Sequence, residues 1–584
     1  MTIFHRNQND SINQTEVDEE LQLALELSLQ SCDPPRATDE CFNPQSSGFF
    51  GSIKDEANSE TQNGKHKLDR VSMSYIINAI TKHKALIASR LQSIPYTSTP
   101  MNDINATKTR VSVSRNVITT ILETLFGTEQ SRQATPENLN AWCKQGFKLH
   151  EKMFWGLTQE QSGPCGVLAT VQAYILQCLL FHNGMYGTLE MLQQSEMPEA
   201  VLRKLPEIYK NFVKLDHPDY PEEWIHIPAL VEALCAILYN ATPYSRYKII
   251  LFHPLKQNMT NPLYTIIYNT NYEYYELDNI AQVATLLLKH IDLLLAEMGV
   301  LSFTMSVLAT REVENVKNDM DDPEMPLIGL YGHSSQELVN LMLQGKAVSN
   351  VFDGEKTLPG ADQSVPYRLK GIEAKGNVGF LTEREATRHC QVGSFYKNPR
   401  FPVWVLGSYS HYTVLFAVDV NLSKLTEYEI QKDNILNVWA CLDPDDNKFI
   451  TMNLLSTLLE MLGVQRLYSD AKHALTNDSN ILLQTTFMDW YLGRTFNNDM
   501  ELNRPVTLFH YNGQDITRPL VRADLNKLPD DGIQIMYKTS DMKIDQTIDS
   551  NILGYAPPEA LELAKTLWTR WPKTQVEVNN VEIE

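Results

Sequence analysis

Residues 159–166 read Gln159-Glu160-Gln161-Ser162-Gly163-Pro164-Cys165-Gly166, and an apolar helical run follows at once. Val167, Leu168, Val171, Ile175, Leu176 and Leu179 recur at helical spacing, which predicts a helix with Cys165 at its N-terminus. Gly163 lets the backbone turn tightly, and Pro164 pre-sets φ for the first helical position. Free N–H groups and the helix dipole favour thiolate over thiol there, and thiolate is the nucleophilic form. Gln159, six residues upstream, can offer its side-chain amide to a developing oxyanion. Two readings compete: a nucleophilic cysteine, and a structural cysteine packed beside an apolar helix. The local pattern alone does not decide between them.

Working outward, the chain has 584 residues, enough for a large core and several domains. A hydrophobic content of 43% with 9% aromatics excludes a wholly disordered chain. The formal charge of −21 argues against general nucleic-acid binding and against docking to anionic membranes, and favours a partner with a basic face. Eight cysteines (32, 41, 143, 165, 178, 235, 390, 441) are scattered without a CxxC pair. That excludes zinc ribbons and disulfide frameworks and fits a reducing compartment. The opening MTIFHRNQND has no apolar signal segment. Val167–Phe181 is uncharged but holds Gln172 and Gln177. It falls short of the about 20 residues a membrane span needs, so a buried helix is expected. A soluble intracellular monomer, in cytoplasm and/or nucleus, is the expectation.

Residues 1–110 form a polar tail whose composition cannot bury enough surface to offset ordering entropy. Two helical islands interrupt it, at 16–30 and 71–91. The folded region is expected from Ser114, with helical patterns dominating to about 350. Strand-like runs at Pro402–Leu406 and His411–Ala417 flank a hairpin connection, Gly407–Ser410. A helical segment with its own loop occupies about 425–500, and Val506–Tyr511 and Ile533–Tyr537 read as strands. Residues 576–584 read as a flexible tail.

A thiolate nucleophile needs a base, normally histidine. His411 opens an extended run just after a turn, and His333, in Tyr-Gly-His-Ser-Ser, competes with it. His290 and His473 lie in helical runs and read as surface or satisfied core residues. The group that would orient the imidazole is not visible; Asp419 reads as a solvated carboxylate at a strand end.

The Gln159–Cys165 block, the segment YGHSSQELVNLMLQGKAVSNVFDG (331–354), VGFLTEREA (378–386) and GSYSHYTVLFA (407–417) occur in this order. Together they resemble the MINDY deubiquitinases, in the branch with an EF-hand-like insertion, over roughly 114–575. The resemblance implies an α+β, variant papain-like cysteine peptidase fold, largely helical with a small antiparallel sheet and a helical insertion. It implies a catalytic domain over 111–575, hydrolysis of isopeptide bonds in polyubiquitin and a preference for lysine-48-linked chains. It also implies Cys165 as nucleophile, His411 as general base, Gln159 as oxyanion donor, and no metal or organic cofactor.

Asp18-Glu19-Glu20-Leu21-Gln22-Leu23-Ala24-Leu25-Glu26-Leu27-Ser28 resembles a ubiquitin-interacting motif. Leu21, Ala24, Leu25 and Ser28 share one helical face, and Glu19 and Glu20 complement the helix N-terminus and a basic surface. An amphipathic tail helix without a partner, and a period-two strand, are the other readings. Asp443, Asp445 and Asn447 imitate positions one, three and five of an EF-hand loop, with Ile450 at the apolar eighth. Lys448 replaces the turn glycine and Leu454 the bidentate glutamate, so a structural relic without calcium is expected. A deubiquitinase with a tethered ubiquitin-binding helix is the leading function. A catalytically inactive ubiquitin-binding adaptor is the alternative, and a calcium-regulated interaction protein is the third.

Overall fold

The computed structural model describes Ile76 and most of residues 110–581, apart from 182–225 and shorter internal stretches. These residues lie within one compact unit, Asn63–Glu584. The tail helix at 16–30, with Glu19, Glu20, Leu21, Ala24, Leu25 and Ser28, lies outside the described residues. Of the second tail island, Ile76 is described: it is helical and fully buried.

The helical half begins with α1 (Arg115–Phe126), whose spacing buries Ile118, Ile121, Leu122 and Leu125. Thr135 starts α2 (Pro136–Lys144) with a reciprocal cap to Asn138, and Pro136 fills the first helical position. α3 (Cys165–Leu180) is buried along all of its length, as expected of a helix that is apolar all round. α4 (His226–Ala241) follows, then the antiparallel pair β1 (Tyr247–Phe252) and β2 (Tyr272–Leu277). The apolar run at 283–298 forms two helices rather than one: α5 (Ile280–Lys289), capped by Asn279, ends at His290, where α6 (Ile291–Leu295) starts. α7 (Gly299–Arg311) and α8 (Gln336–Gln344) complete this half.

After a short antiparallel pair, Glu355–Leu358 with Tyr367–Lys370, come strands β3 (Gly379–Thr382), β4 (Val403–Gly407) and β5 (Tyr412–Phe416), the last two as an antiparallel hairpin. The insertion comprises α9 (Glu427–Leu442), β6 (Phe449–Thr451), α10 (Leu455–Met461), α11 (Tyr468–Leu475), β7 (Ile481–Leu483) and α12 (Gln484–Thr495). Its core is a separate cluster that includes Ile435, Trp439, Leu458 and Phe487. The chain continues through β8 (Val506–Tyr511), β9 (Leu520–Lys527), β10 (Ile535–Lys538), β11 (Thr547–Ile548), α13 (Pro558–Arg570) and β12 (Thr574–Asn580).

The chain is α+β, but the expected small antiparallel sheet is larger and mixed. Eight strands run in the order β11-β10-β12-β9-β8-β5-β4-β3, and the β10–β12 and β3–β4 pairs are parallel. The expected tail at 576–584 is corrected over 576–581, its described residues. β12 lies between β9 and β10, and Val576 and Val578 are buried, because alternate valines supply an inward face. Both faces of the central strands are covered. Val403, Val405, Val414, Phe416 and Phe509 join the core shared with α3, while Trp404, Leu406, Leu415 and Leu508 pack toward α13. Two covered faces give near-continuous apolar strands, as the sequence of β4 shows.

The insertion pairs two helix–loop–helix units through their loops, where the sequence reading found one loop motif. Ile450 pairs with Leu482 across β6 and β7. Counting back from Leu482 places Asn480 in the slot that Lys448 fills in the first loop, and both have positive φ, 54° and 66°. Neither loop has a carboxylate at its last ligand position, which Leu454 and Thr486 occupy. The Asp443 carboxylate accepts from the backbone N–H groups of Asn447 (2.9 Å) and Lys448 (2.8 Å). Asp445 and Asp446 lie outside the described residues.

Candidate active site

Cys165 is the first residue of α3, and α3 packs against β5 and β4. The turn before it needs Gly163: its φ is +120°, and a Cβ there would lie 2.9 Å from both the Gly332 carbonyl and Trp142 Nε1. Trp142 Nε1 donates to that same carbonyl at 2.8 Å, and Ser334 Oγ donates to the Gly163 carbonyl at 3.5 Å. The Tyr-Gly-His-Ser-Ser segment thus lies directly on the turn that carries the cysteine.

The irregular stretch 155–161 is held by two glutamines that are almost fully buried. Gln172 on α3 accepts from Leu157 N (2.6 Å) and donates to Trp155 O (2.8 Å). Gln145 accepts from Glu160 N (3.0 Å) and donates to Thr158 O (3.2 Å). A loop this deep must find partners for its backbone groups, and these side chains supply them. Gln159 is itself buried, and its Nε2 donates to Gln161 O at 2.8 Å.

His411 is the last residue of the β4–β5 connection rather than the first of the strand. Ser408 N donates to its carbonyl at 2.9 Å, and its own N–H donates to Ser408 Oγ at 3.1 Å. The next peptide N–H, that of Tyr412, points at the Cys165 thiol. His411 Nε2 pairs with Asn512 Oδ1 at 2.9 Å. With Nε2–H donated, Nδ1 keeps the lone pair.

Asn512 is the group that sequence reasoning missed. It follows β8 directly, one step beyond the pair Tyr511–Val414, so the strand register carries it toward His411. Its Oδ1 also accepts from Gln514 N at 3.0 Å. The same turn holds the cysteine loop, because Gln159 N donates to Gly513 O (2.8 Å) and Tyr511 Oη to Leu157 O (2.8 Å). A Cβ on Gly513 would lie 2.4 Å from Leu157 O, so the two loops meet backbone to backbone. The signal in the sequence was the Asn-Gly pair after an apolar strand, which reads as a turn and not as chemistry. Asp419 instead accepts from Asn421 N at 3.0 Å, closing the turn after β5.

The electrostatics correct one expectation. Cys165 is 2% exposed, and burial pushes its thiol up to about 11, outweighing the backbone N–H groups of Tyr412, Gly166 and Cys165 itself. Desolvation therefore exceeds the helix-terminus effect, and the resting sulfur is a neutral thiol, placed 3.8 Å from Gly163 O as a donor. Burial likewise holds His411 below the usual histidine range; the Asn512 bond raises it and His333 lowers it further. Both histidines weighed from the sequence thus sit at the site. His333 is depressed by burial, and its Nδ1 has no hydrogen-bond partner among the described residues. His510 donates to or accepts from Thr413 Oγ1 at 2.8 Å and is pushed down to about 4 by burial. The site sets a neutral thiol on a helix terminus against the Tyr412 N–H, and the preceding residue, His411, carries a neutral imidazole with an amide on its Nε2; a thiol and an imidazole in neighbouring segments are the groups that proton transfer coupled to nucleophilic attack requires.

Comparison with known proteins identifies the family. The family described as "Deubiquitinating enzyme MINDY-3/4, conserved domain" matches residues 123–434. The chain is 31% identical to mouse "Ubiquitin carboxyl-terminal hydrolase MINDY-3" over 475 residues, covering 77% of this chain and 95% of that protein. The human protein of that name gives 31% over 476 residues, with the same shares. Bovine "Probable ubiquitin carboxyl-terminal hydrolase MINDY-4" is 34% identical over 291 residues, 48% of this chain and 34% of that protein. No solved structure matches the chain. The chain belongs to the MINDY family of deubiquitinating enzymes, within its MINDY-3/4 group.

Proposed function

We propose that this protein is a cysteine isopeptidase that cleaves polyubiquitin, with Cys165 as nucleophile, His411 as general base and Gln159 as oxyanion donor. The observation that carries the reading is the placement of the His411–Tyr412 peptide against the thiol, with Asn512 on the far side of the imidazole. A helix-borne cysteine beside a strand-borne histidine supports a papain-like arrangement. His411 Nδ1 takes the Sγ proton as sulfur attacks the carbonyl that joins the ubiquitin C-terminus to a lysine side chain. Gln159 Nε2 and the Cys165 N–H stabilise the oxyanion, an effect worth about 10²–10³ in rate per donor. The imidazolium returns its proton to the departing lysine amine, and a water activated by His411 then hydrolyses the thioester.

The preference for lysine-48 linkages and the ubiquitin-binding helix at 16–30 are parts of this proposal that rest on sequence resemblance. The test is incubation with a ubiquitin bearing an electrophile at its C-terminus, beside Cys165→Ala. A covalent adduct is expected for the wild type alone. Its absence, with a reference cysteine deubiquitinase reacting, would favour the inactive-adaptor alternative. A panel of linkage-defined chains tests the preference.

A further inference from the structure

We propose that the exposed Leu330–Tyr331 turn beside the nucleophile is the docking element for the extended C-terminal tail of the donor ubiquitin, an inference that rests on the isopeptidase reading above. Tyr331 has φ 61° and ψ 12°, and Gly332 follows with φ 76°. His333 N closes on Leu330 O at 3.5 Å and Gly329 N on His333 O at 3.0 Å, so the chain makes a tight hairpin-like turn. Two successive left-handed residues suit Asn-Gly, whereas a tyrosine is strained in the first place. Burial of the side chain does not compensate. Tyr331 is 56% exposed and Leu330 is 54% exposed, so the strain holds two large apolar side chains out in water. Strain kept without a packing gain points to a ligand contact.

The location says which ligand. The turn is fastened to the cysteine loop through Gly332 O, which takes the Trp142 Nε1 hydrogen bond and abuts Gly163. The Tyr331 ring meets that of His333 edge-on at 6.5 Å, and His333 in turn acts electrostatically on His411. A second exposed aromatic stands on the histidine side: Tyr409, 54% exposed, lies in the β4–β5 connection two residues before His411. It is steadied by the Arg384 guanidinium 5.2 Å from its ring and by Thr387 Oγ1 at 3.1 Å from its hydroxyl. The thiol that follows the Gly163 turn and takes the Tyr412 N–H is only 2% exposed. A carbonyl can reach it most readily on a residue without a side chain, while the apolar residues upstream lie against Leu330 and Tyr331. An extended tail that ends in glycine, as ubiquitin's does, has that form.

Tyr331→Asn is the discriminating variant, because it installs the Asn-Gly pair the turn prefers and so leaves folding intact. Three quantities are read: the adduct rate with the C-terminal electrophilic ubiquitin over a range of concentrations, alkylation of Cys165 by iodoacetamide, and the thermal midpoint. The second-order rate with the ubiquitin probe is expected to fall about tenfold, as loss of one well-placed side-chain contact gives. The fall should come through weaker saturation, with iodoacetamide reactivity unchanged, the midpoint equal or higher, and Tyr331→Phe close to wild type. A wild type that reacts beside an equally reactive Tyr331→Asn overturns the docking role and leaves the isopeptidase reading standing. Parallel losses with iodoacetamide also overturn it, since the turn would then act on the thiol. A wild type that never reacts with the probe removes both.

Discussion

Replacing Asn512 by alanine removes the acceptor on His411 Nε2 without touching the thiol or the oxyanion donor. A hydrogen bond to a neutral group contributes about 1 kcal/mol net, and one to a charged group about 1.5–3. With His411 as the proposed base, neutral at rest and an imidazolium once it takes the thiol proton, Asn512 stabilises the transition state more than the resting enzyme. A difference of about 1–1.5 kcal/mol lowers kcat about tenfold. The pH profile carries the sign. The Asn512 bond raises the His411 pKa against the burial that depresses it. Its loss therefore depresses the pKa further, and the acid limb of kcat/KM moves to lower pH. Asn512→Asp should do the opposite, since a carboxylate favours the imidazolium. The assay is the pH dependence of cleavage of a ubiquitin dimer at subsaturating and saturating substrate. An acid limb that stays in place or rises in Asn512→Ala, or an unchanged kcat, would refute the positioning role. A fall in thermal midpoint alone is expected for a merely structural residue, because Oδ1 also holds Gln514 N.

Three further outcomes are expected. Glu232 on α4 is buried against Cys178 Sγ at 2.9 Å, and burial raises its carboxyl from 4.5 to about 8. The folded state therefore keeps a proton that the unfolded chain releases, so stability is full below pH 4.5 and falls as pH rises toward 8. By pH 7 the loss is about 3 kcal/mol, and Glu232→Gln should flatten urea-unfolding free energies between pH 5 and 7; a slope that survives the substitution would assign it elsewhere. Deleting residues 1–35 should weaken capture of long ubiquitin chains while sparing reaction with the mono-ubiquitin probe, measured by chain pull-down beside adduct formation. Calorimetric titration with calcium should show no site of micromolar affinity, because the Asp443 carboxylate is engaged by its own backbone and the last ligand position is Leu454; a clear exothermic site would reverse that reading.

What could be read from the chain divides along the range of the interactions. The helix after Cys165 was legible because its periodicity is local, and so was the β4–β5 hairpin, whose two apolar runs flank a short polar connection. Asn512 was not, since it meets His411 across 101 residues of sequence through a strand register that no local pattern encodes. β12 was missed for a related reason: Val576 and Val578 alternate with polar residues, and their burial depends on the partners β9 and β10. The thiol's protonation failed differently. A helix terminus can be read from Gly-Pro-Cys, but the desolvation that outweighs it depends on burial that the whole fold supplies. Gln172 was legible, with Gln177, as a polar residue in a short apolar run, which argued for a buried helix, whereas Gln145 gave no signal. The task of Gln145 and Gln172 in holding the 155–161 loop emerges once the loop is folded onto them.

The order of the chain gives the hairpin after β8 a consequence for biogenesis. The segment shared with the MINDY-3/4 conserved domain ends at residue 434, so it includes Cys165 and His411 but not Asn512 or Gly513. Until β8 is synthesised, β5 presents an open sheet edge beside β4, and unpaired strand edges invite misassociation. A ribosome adding about 5–20 residues per second leaves the nascent enzyme in that condition for several seconds. A fragment stopped at residue 434 fixes that interval permanently: Cys165 and His411 are present, while the strand that pairs with β5 and leads to Asn512 is not. The His411–Asn512 contact is therefore acquired late in translation, after the edge of β5 has been covered by β8.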